Sequence, residues 1–179
     1  MELILIILLV LLFVIFIILT IRNHLKKSEQ QKYYAAAGNI LREEFLNYSL
    51  QNTISPDGKV SEPRSAKMMV YLKSKSSGKK TQFVFDPERE IKIGRDSVNS
   101  NIFINDSAVS QYHCRIYTYD YTVYLQDMNS SNGTFVKRGA FKSYSIYNGN
   151  QIALRTGDKI IVGSCMFEVC LFYYDLNTM

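Results

Sequence analysis

The chain is expected to be an all-β sandwich or barrel preceded by a membrane-spanning helix, and three observations lead there. Residues Leu3 to Ile21 form an apolar run broken only by Thr20. From about Lys67 onward, short apolar runs of β-rich composition alternate with turn signals, and no helical period appears. Between the two lies a stretch with helical spacing followed by a proline-containing linker.

The first run, as a helix rising about 1.5 Å per residue, covers roughly the 30 Å hydrocarbon thickness of a bilayer. Glu2 precedes it, no Lys or Arg does, and Arg22, Lys26, Lys27 and Lys32 follow it. A cleaved secretory signal has a basic start, a shorter apolar centre and a small-residue cleavage site, none of which fits. The distribution of positive charge places the C-terminal body in the cytoplasm and the N-terminus outside, as a single-pass protein of the cell membrane. Residues 1–22 are thus expected to be the anchor.

Residues Ser28 to Leu50 contain no proline and bring Tyr33, Ala37, Leu41, Phe45 and Tyr48 to one helical side. A juxtamembrane helix follows, acting as a spacer unless it packs on the membrane, on a second copy or on the domain beyond. The stretch Gln51 to Ala66, "QNTISPDGKVSEPRSA", holds two of the three prolines and a Pro-Asp-Gly turn, which makes it a linker. Residues 23–66 form this connecting region, and 67–179 form the folded domain.

Within that domain the runs are "MMVYL", "TQFVF", "IKI", "IFI", "CRIYTY", "TVYL", "TFV", "QIAL", "KIIV" and "MFEVCLF". About ten short runs separated by turns describe a sandwich or barrel. Cys114, Cys165 and Cys170 are odd in number, and two of them sit in apolar stretches, so they read as reduced thiols and not as a disulfide framework. A zinc site from His113, Cys114, Cys165 and Cys170 would join adjacent ligands across a gap of about fifty residues, which matches no common spacing. No metal or cofactor is expected. The formal charge of +5 comes in part from the membrane-flanking cluster and forms no basic stripe, so nucleic acid is not an expected partner.

Catalytic chemistry is hard to find. The chain has two histidines, His24 and His113, and lacks a Gly-x-Ser-x-Gly elbow, a phosphate-binding Gly-x-x-x-x-Gly-Lys loop and a His-x-x-x-His pair. Three polar clusters interrupt the strands instead: "IGRD" at Ile93 to Asp96, "DSAVSQYH" at Asp106 to His113, and "NSSNGT" at Asn129 to Thr134. Gly94 and Gly133 suit turns, and Asn-Gly between strands is by itself a common hairpin signal.

In order and spacing the clusters resemble the forkhead-associated (FHA) domain, whose pattern is Gly-Arg, then Ser-x-x-His, then Ser/Thr-Asn-Gly-Thr. The similarity extends to Asp106, Val109, Leu125, Asp127 and "LRTGDKIIVG" at Leu154 to Gly163, and covers about Met68 to Tyr173. The resemblance implies a β-sandwich of about eleven strands that binds phosphothreonine peptides with the loops at one end, and that is not an enzyme. It further implies that Arg95, Ser110 and Ser131 contact the phosphate, that Asn132 bonds the peptide main chain, and that Gln111 stands where the family often has another phosphate ligand. Gly94, His113 and Gly133 would support the site, while Gly157, Asp158 and Gly163 shape a turn. After "TFV", Lys137, Arg138 and Gly139 replace the family's frequent Asn-Gly.

The same residues suit a phosphate chemically. Phosphothreonine carries nearly two negative charges and three strong acceptor oxygens, which call for a fixed cation and several directed donors. Arg95 supplies a planar fork, and the two serines supply hydroxyls. The expected function is a membrane-tethered phosphothreonine reader that brings phosphorylated proteins to the cytoplasmic membrane face in Ser/Thr kinase signalling. By resemblance its partners include Ser/Thr kinases and cell-wall or division proteins. The competing expectation is a phosphorylation-independent structural adaptor in a membrane complex.

Overall fold

The computed structural model describes residues 2–51, 66–76 and 79–175. Most of the linker expected over 51–66 lies outside the described residues, as do the side chains of Phe45 and Tyr48.

Helix α1 (Glu2–Gln51) is one continuous element, so the expected anchor and the juxtamembrane helix are a single rod. Among the described residues it is the one helix long and apolar enough to cross a membrane. Its apolar side chains from Ile4 to Ile21 are exposed. The hydroxyl of Thr20, the one polar group in that run, donates to the Phe16 carbonyl at 2.8 Å and needs no outside partner.

Eleven strands follow: β1 (Ala66–Ser76), β2 (Lys79–Phe85), β3 (Ile91–Gly94), β4 (Ile102–Phe103), β5 (Cys114–Tyr119), β6 (Thr122–Asp127), β7 (Thr134–Arg138), β8 (Lys142–Ile146), β9 (Gln151–Ala153), β10 (Lys159–Val162) and β11 (Cys165–Asp175). They make a six-stranded sheet, β2-β1-β11-β10-β7-β8, and a five-stranded sheet, β4-β3-β5-β6-β9. All pairs are antiparallel except β3 with β4. Inward residues of both sheets, among them Val70, Leu72, Ile93, Ile116, Leu125, Val136, Ile160 and Val169, share one core. This is the inter-sheet burial that stabilises a sandwich.

Strand β8, "KSYSI", is not among the apolar runs of the sequence. It is an edge strand whose first four residues are exposed or half-buried and whose Ile146 alone is buried. β7 continues through Lys137 and Arg138, and the turn comes at Gly139, which adopts φ 63°. Arg138 donates from Nε and Nη2 to the two oxygens of Asp158, each at 2.7 Å, and from Nη2 to the Ala153 carbonyl. Asp158 is buried, and its partner is a planar fork that satisfies both carboxylate oxygens.

A second apolar cluster lies outside the sandwich. Tyr33, Ala37 and Leu41 of α1 cover Met69 and Tyr71 of β1 and Phe172 and Tyr174 of β11. Tyr33 stacks on Tyr71 with ring centroids 4.8 Å apart and meets Phe172 at 4.7 Å. Glu29 pairs with Lys73. The part of α1 that follows the apolar run is therefore docked on the domain and is more than a spacer. All three cysteines are free, and burial pushes the Cys114 thiol up to about 12.

Candidate functional site

At one end of the sandwich three loops converge: residues 95–101 between β3 and β4, 104–113 between β4 and β5, and 128–133 between β6 and β7. The first two are joined by main-chain bonds that prolong the β3–β5 ladder. The Arg95 amide donates to the Ser110 carbonyl at 2.9 Å, Asp96 to Gln111 at 3.1 Å, and His113 to Ile93 at 3.0 Å. A Cβ on Gly94 would stand 2.1 Å from the Gln111 carbonyl oxygen, so no side chain fits between these strands. Gly94 acts through this close approach, without a left-handed φ.

The third loop hangs from Asp127. This fully buried carboxylate accepts from the Ser130 amide at 3.0 Å, from the Ser130 hydroxyl, and from the Thr134 hydroxyl at 2.9 Å. Asn129 (φ 57°) and Gly133 (φ 73°) take left-handed conformations at its two ends. A Cβ on Gly133 would fall 2.0 Å from the Tyr147 ring, so space as well as φ requires glycine there.

His113 connects the loops. It is fully buried, its Nδ1 accepts from the Ser110 amide at 3.1 Å, and its Nε2 lies 3.1 Å from the Gly133 carbonyl. An acceptor at Nδ1 assigns the proton to Nε2, which then donates to Gly133. Both nitrogens are used, which leaves neither for acid-base chemistry. Burial holds its pKa below the ordinary histidine value, opposed by the Gly133 carbonyl and by nearby Asp127.

Below about 6.5 the unfolded chain takes up a proton at this histidine that the folded chain resists, so stability is present above that pH and is lost as pH falls. Between the unfolded and folded values the loss approaches about 1.4 kcal/mol per pH unit. Thermal midpoints of the full chain in detergent should fall between pH 7 and pH 5, and His113→Gln should remove most of that slope. A midpoint independent of pH in wild type would contradict the neutral, buried brace.

The expected contact residues are joined through these loops. Arg95 is exposed, and its Nε donates to the Val109 carbonyl at 3.1 Å, which holds the guanidinium in place. Its terminal amino groups make no ion pair among the described residues. The Ser110 hydroxyl accepts from the Ser131 amide at 3.1 Å, and the Asn132 amide group donates to the Ala108 carbonyl at 2.7 Å. Gln111 is exposed beside them. Arg95, Ser110, Ser131 and Asn132 thus share one hydrogen-bonded rim with a cation, hydroxyls and an amide open to solvent on one side.

Two acids near this rim are already engaged. Asp96 lies below its usual range because the Asn99 side chain and the amides of Val98 and Asn99 donate to it. Asp106 is lowered by Ser164 and by the Ala108 amide, and it ties the 104–113 loop to the β10–β11 turn. Gly163 makes that contact possible, since a Cβ there would lie 2.7 Å from both Asp106 Oδ2 and Val109 Cγ2. Asp106, Asp127, Ser130 and Thr134 hold these loops in place, a part to which the sequence alone assigned none of them. The available signal was an Asp two or three residues before small polar residues, a spacing that favours side chain to backbone bonds.

Residues 91–163 match the family model described as FHA domain. The fold is similar to the FHA domain of the CT664 protein from Chlamydia trachomatis, at 21 % identity and TM-score 0.48, covering 56 % of this chain and 95 % of that one. It is similar also to the FHA domain of an Arabidopsis thaliana hypothetical protein, at 22 % identity and TM-score 0.48, covering 66 % of this chain and 95 % of that one. A third similar structure is Mycobacterium tuberculosis EmbR in complex with a low-affinity phosphopeptide, at 24 % identity and TM-score 0.44, covering 56 % of this chain and 24 % of that one. No curated protein matches the chain. On the family match, the segment from β3 to the end of β10 belongs to the FHA domain family.

Proposed function

We propose that this chain is a membrane-tethered reader of phosphothreonine, which holds threonine-phosphorylated proteins at the cytoplasmic membrane face and catalyses no reaction. The observation that carries the reading is the joined rim of Arg95, Ser110, Ser131 and Asn132. A tetrahedral dianion needs a cation and several donors held in fixed relation, and Val109 and His113 fix the cation and one of the serines. Asn132 keeps its side-chain carbonyl available to accept from a peptide amide while its amino group is held by Ala108. Gln111 adds a neutral amide at the edge. The apolar run from Leu3 to Ile21, with Arg22, Lys26 and Lys27 behind it, supports the tether and its orientation.

Matched peptides carrying Thr, phosphothreonine, phosphoserine and Asp test the reading against the full chain in detergent. The phosphothreonine methyl, if it is buried between the loops of Ser110 and Asn132, contributes about 0.8 kcal/mol, a preference of about fourfold over phosphoserine. Asp should bind hardly at all, because a planar single charge cannot satisfy a fork and two hydroxyls arranged around a tetrahedron. Ser110→Ala should weaken binding of both phosphopeptides and leave the Thr and Asp peptides unchanged. Indistinguishable binding of all four peptides would remove the reader and leave a phosphorylation-independent adaptor.

A further inference from the structure

We propose that the loop end of the sandwich faces the membrane surface, and that its ligand is therefore a phosphothreonine in the membrane-proximal segment of another membrane-embedded protein. This rests on the proposed tether for the orientation and on the phosphothreonine reading for the ligand.

The orientation follows from the register of α1 on the sheet. Glu29 meets Lys73, Tyr33 meets Tyr71 and Phe172, Tyr34 meets Phe172 and Tyr174, and Gly38 lies against Tyr174. As the helix number rises, the β11 number rises and the β1 number falls. The helix thus runs parallel to β11 and antiparallel to β1. Walking back along α1 toward its apolar half therefore means walking toward the start of β11 and the end of β1.

The candidate site is at that same end. The Ser164 amide, immediately before β11, donates to Asp106, and the space at Gly163 is closed by Asp106 and Val109. Distances along the two elements agree. From Glu29 to Arg22, where the apolar run ends, is about 10 Å of helix. From Lys73 to Ser76, or from its partner Glu168 back to Cys165, is about 10 Å of strand. The loops thus come level with the first basic residues of α1, where lipid headgroups would begin.

Charge supports the same orientation. β1 and β2 pair as far as Ser76 with Lys79, and the exposed Lys80 beside that pair lies toward the loop end. Together with Arg22, Lys26 and Lys27 it brings positive charge to the plane where anionic lipids are found. Tyr33, Ala37 and Leu41 lock the relation between helix and sandwich, so the rim cannot turn freely toward the cytoplasm. A phosphothreonine held close to the bilayer reaches such a rim at high effective concentration.

The test uses the full chain in vesicles of phosphatidylcholine and phosphatidylglycerol. The sequence contains no tryptophan, so Val98→Trp in the 95–101 loop and Phe141→Trp in the β7–β8 turn each add a single tryptophan, excited apart from the tyrosines, at opposite ends of the sandwich. Both positions are exposed. A lipid spin-labelled at its headgroup should quench the Val98→Trp protein several-fold more than the Phe141→Trp protein; equal or reversed quenching overturns the orientation. A single-span probe helix then presents one phosphothreonine sequence either about six residues from its span, ~20 Å of extended chain, or about forty residues away on a flexible tether. The near placement should bind several-fold tighter in wild type, and Ala37→Glu, which places a charge in the docking interface, should erase that preference without changing affinity for the soluble phosphopeptide. Near binding no tighter than far binding overturns the partner assignment. Failure of the soluble phosphopeptide itself rejects the ligand while leaving the quenching result to decide the orientation.

Discussion

Asp127→Ala is expected to destabilise the domain by about 3 kcal/mol or more, the largest effect of any single substitution proposed for this fold. The carboxylate is fully buried and receives three donors, the amide and hydroxyl of Ser130 and the hydroxyl of Thr134. Each donor left without an acceptor costs about 1 to 3 kcal/mol, and the two hydroxyls recover part of this by rotating toward other acceptors. The Ser130 amide is fixed by the main chain and cannot. Asp127→Asn keeps one carbonyl acceptor and should lose less. Urea unfolding read by far-ultraviolet circular dichroism checks both; an alanine variant within about 0.5 kcal/mol of wild type would mean that the loop is held by something other than this carboxylate. Phosphopeptide affinity should fall as well, because Ser131 and Asn132 follow directly on the anchored Ser130.

The same loop shows what was legible in the sequence. "NSSNGT" announces a turn by composition, and the register of "IGRD", "DSAVSQYH" and "NSSNGT" announces the family, because each cluster follows or precedes a short apolar run that becomes a strand. What composition does not give is direction: nothing in the letters says that Asp127 points inward to hold the loop while Ser131 points out. Strand β8 escaped because an edge strand with one buried residue has no apolar pattern to detect. Docking of α1 left a trace that a one-sided reading passes over. Residues 69–72 are apolar without alternation, and they are all buried, Val70 and Leu72 under the second sheet and Met69 and Tyr71 under the helix. A strand buried on both faces loses its period of two, so "MMVYL" implied a cover, and the Tyr33, Ala37 and Leu41 side of α1 was the one to supply it. The pairing of Arg138 with Asp158 could not be read at all, since the two residues come together only through the β7–β10 register.

Arg95→Ala is expected to weaken phosphothreonine binding by at least about tenfold, ~1.4 kcal/mol, while leaving the melting temperature nearly unchanged. Charge-assisted hydrogen bonds contribute about 1.5 to 3 kcal/mol each, so two lost to the phosphate would exceed that bound, and exposure to salt is what keeps the bound low. The structural loss is small because Arg95 is exposed and its side chain makes one bond to the fold, from Nε to the Val109 carbonyl. On the proposed reading that bond serves ligand binding instead. It fixes the plane of the guanidinium before a ligand arrives, so less side-chain freedom is surrendered on binding. Arg95→Lys separates charge from geometry: an ammonium on a flexible stem keeps the attraction but forms neither the Val109 bond from Nε nor a fork, and its affinity should lie between wild type and alanine. Calorimetry with one phosphothreonine peptide at two salt concentrations distinguishes the cases, since the salt dependence should persist in lysine and shrink in alanine. Affinity unaltered in the alanine variant, with the fold intact, would take Arg95 out of the site and with it the cation that a phosphate dianion requires.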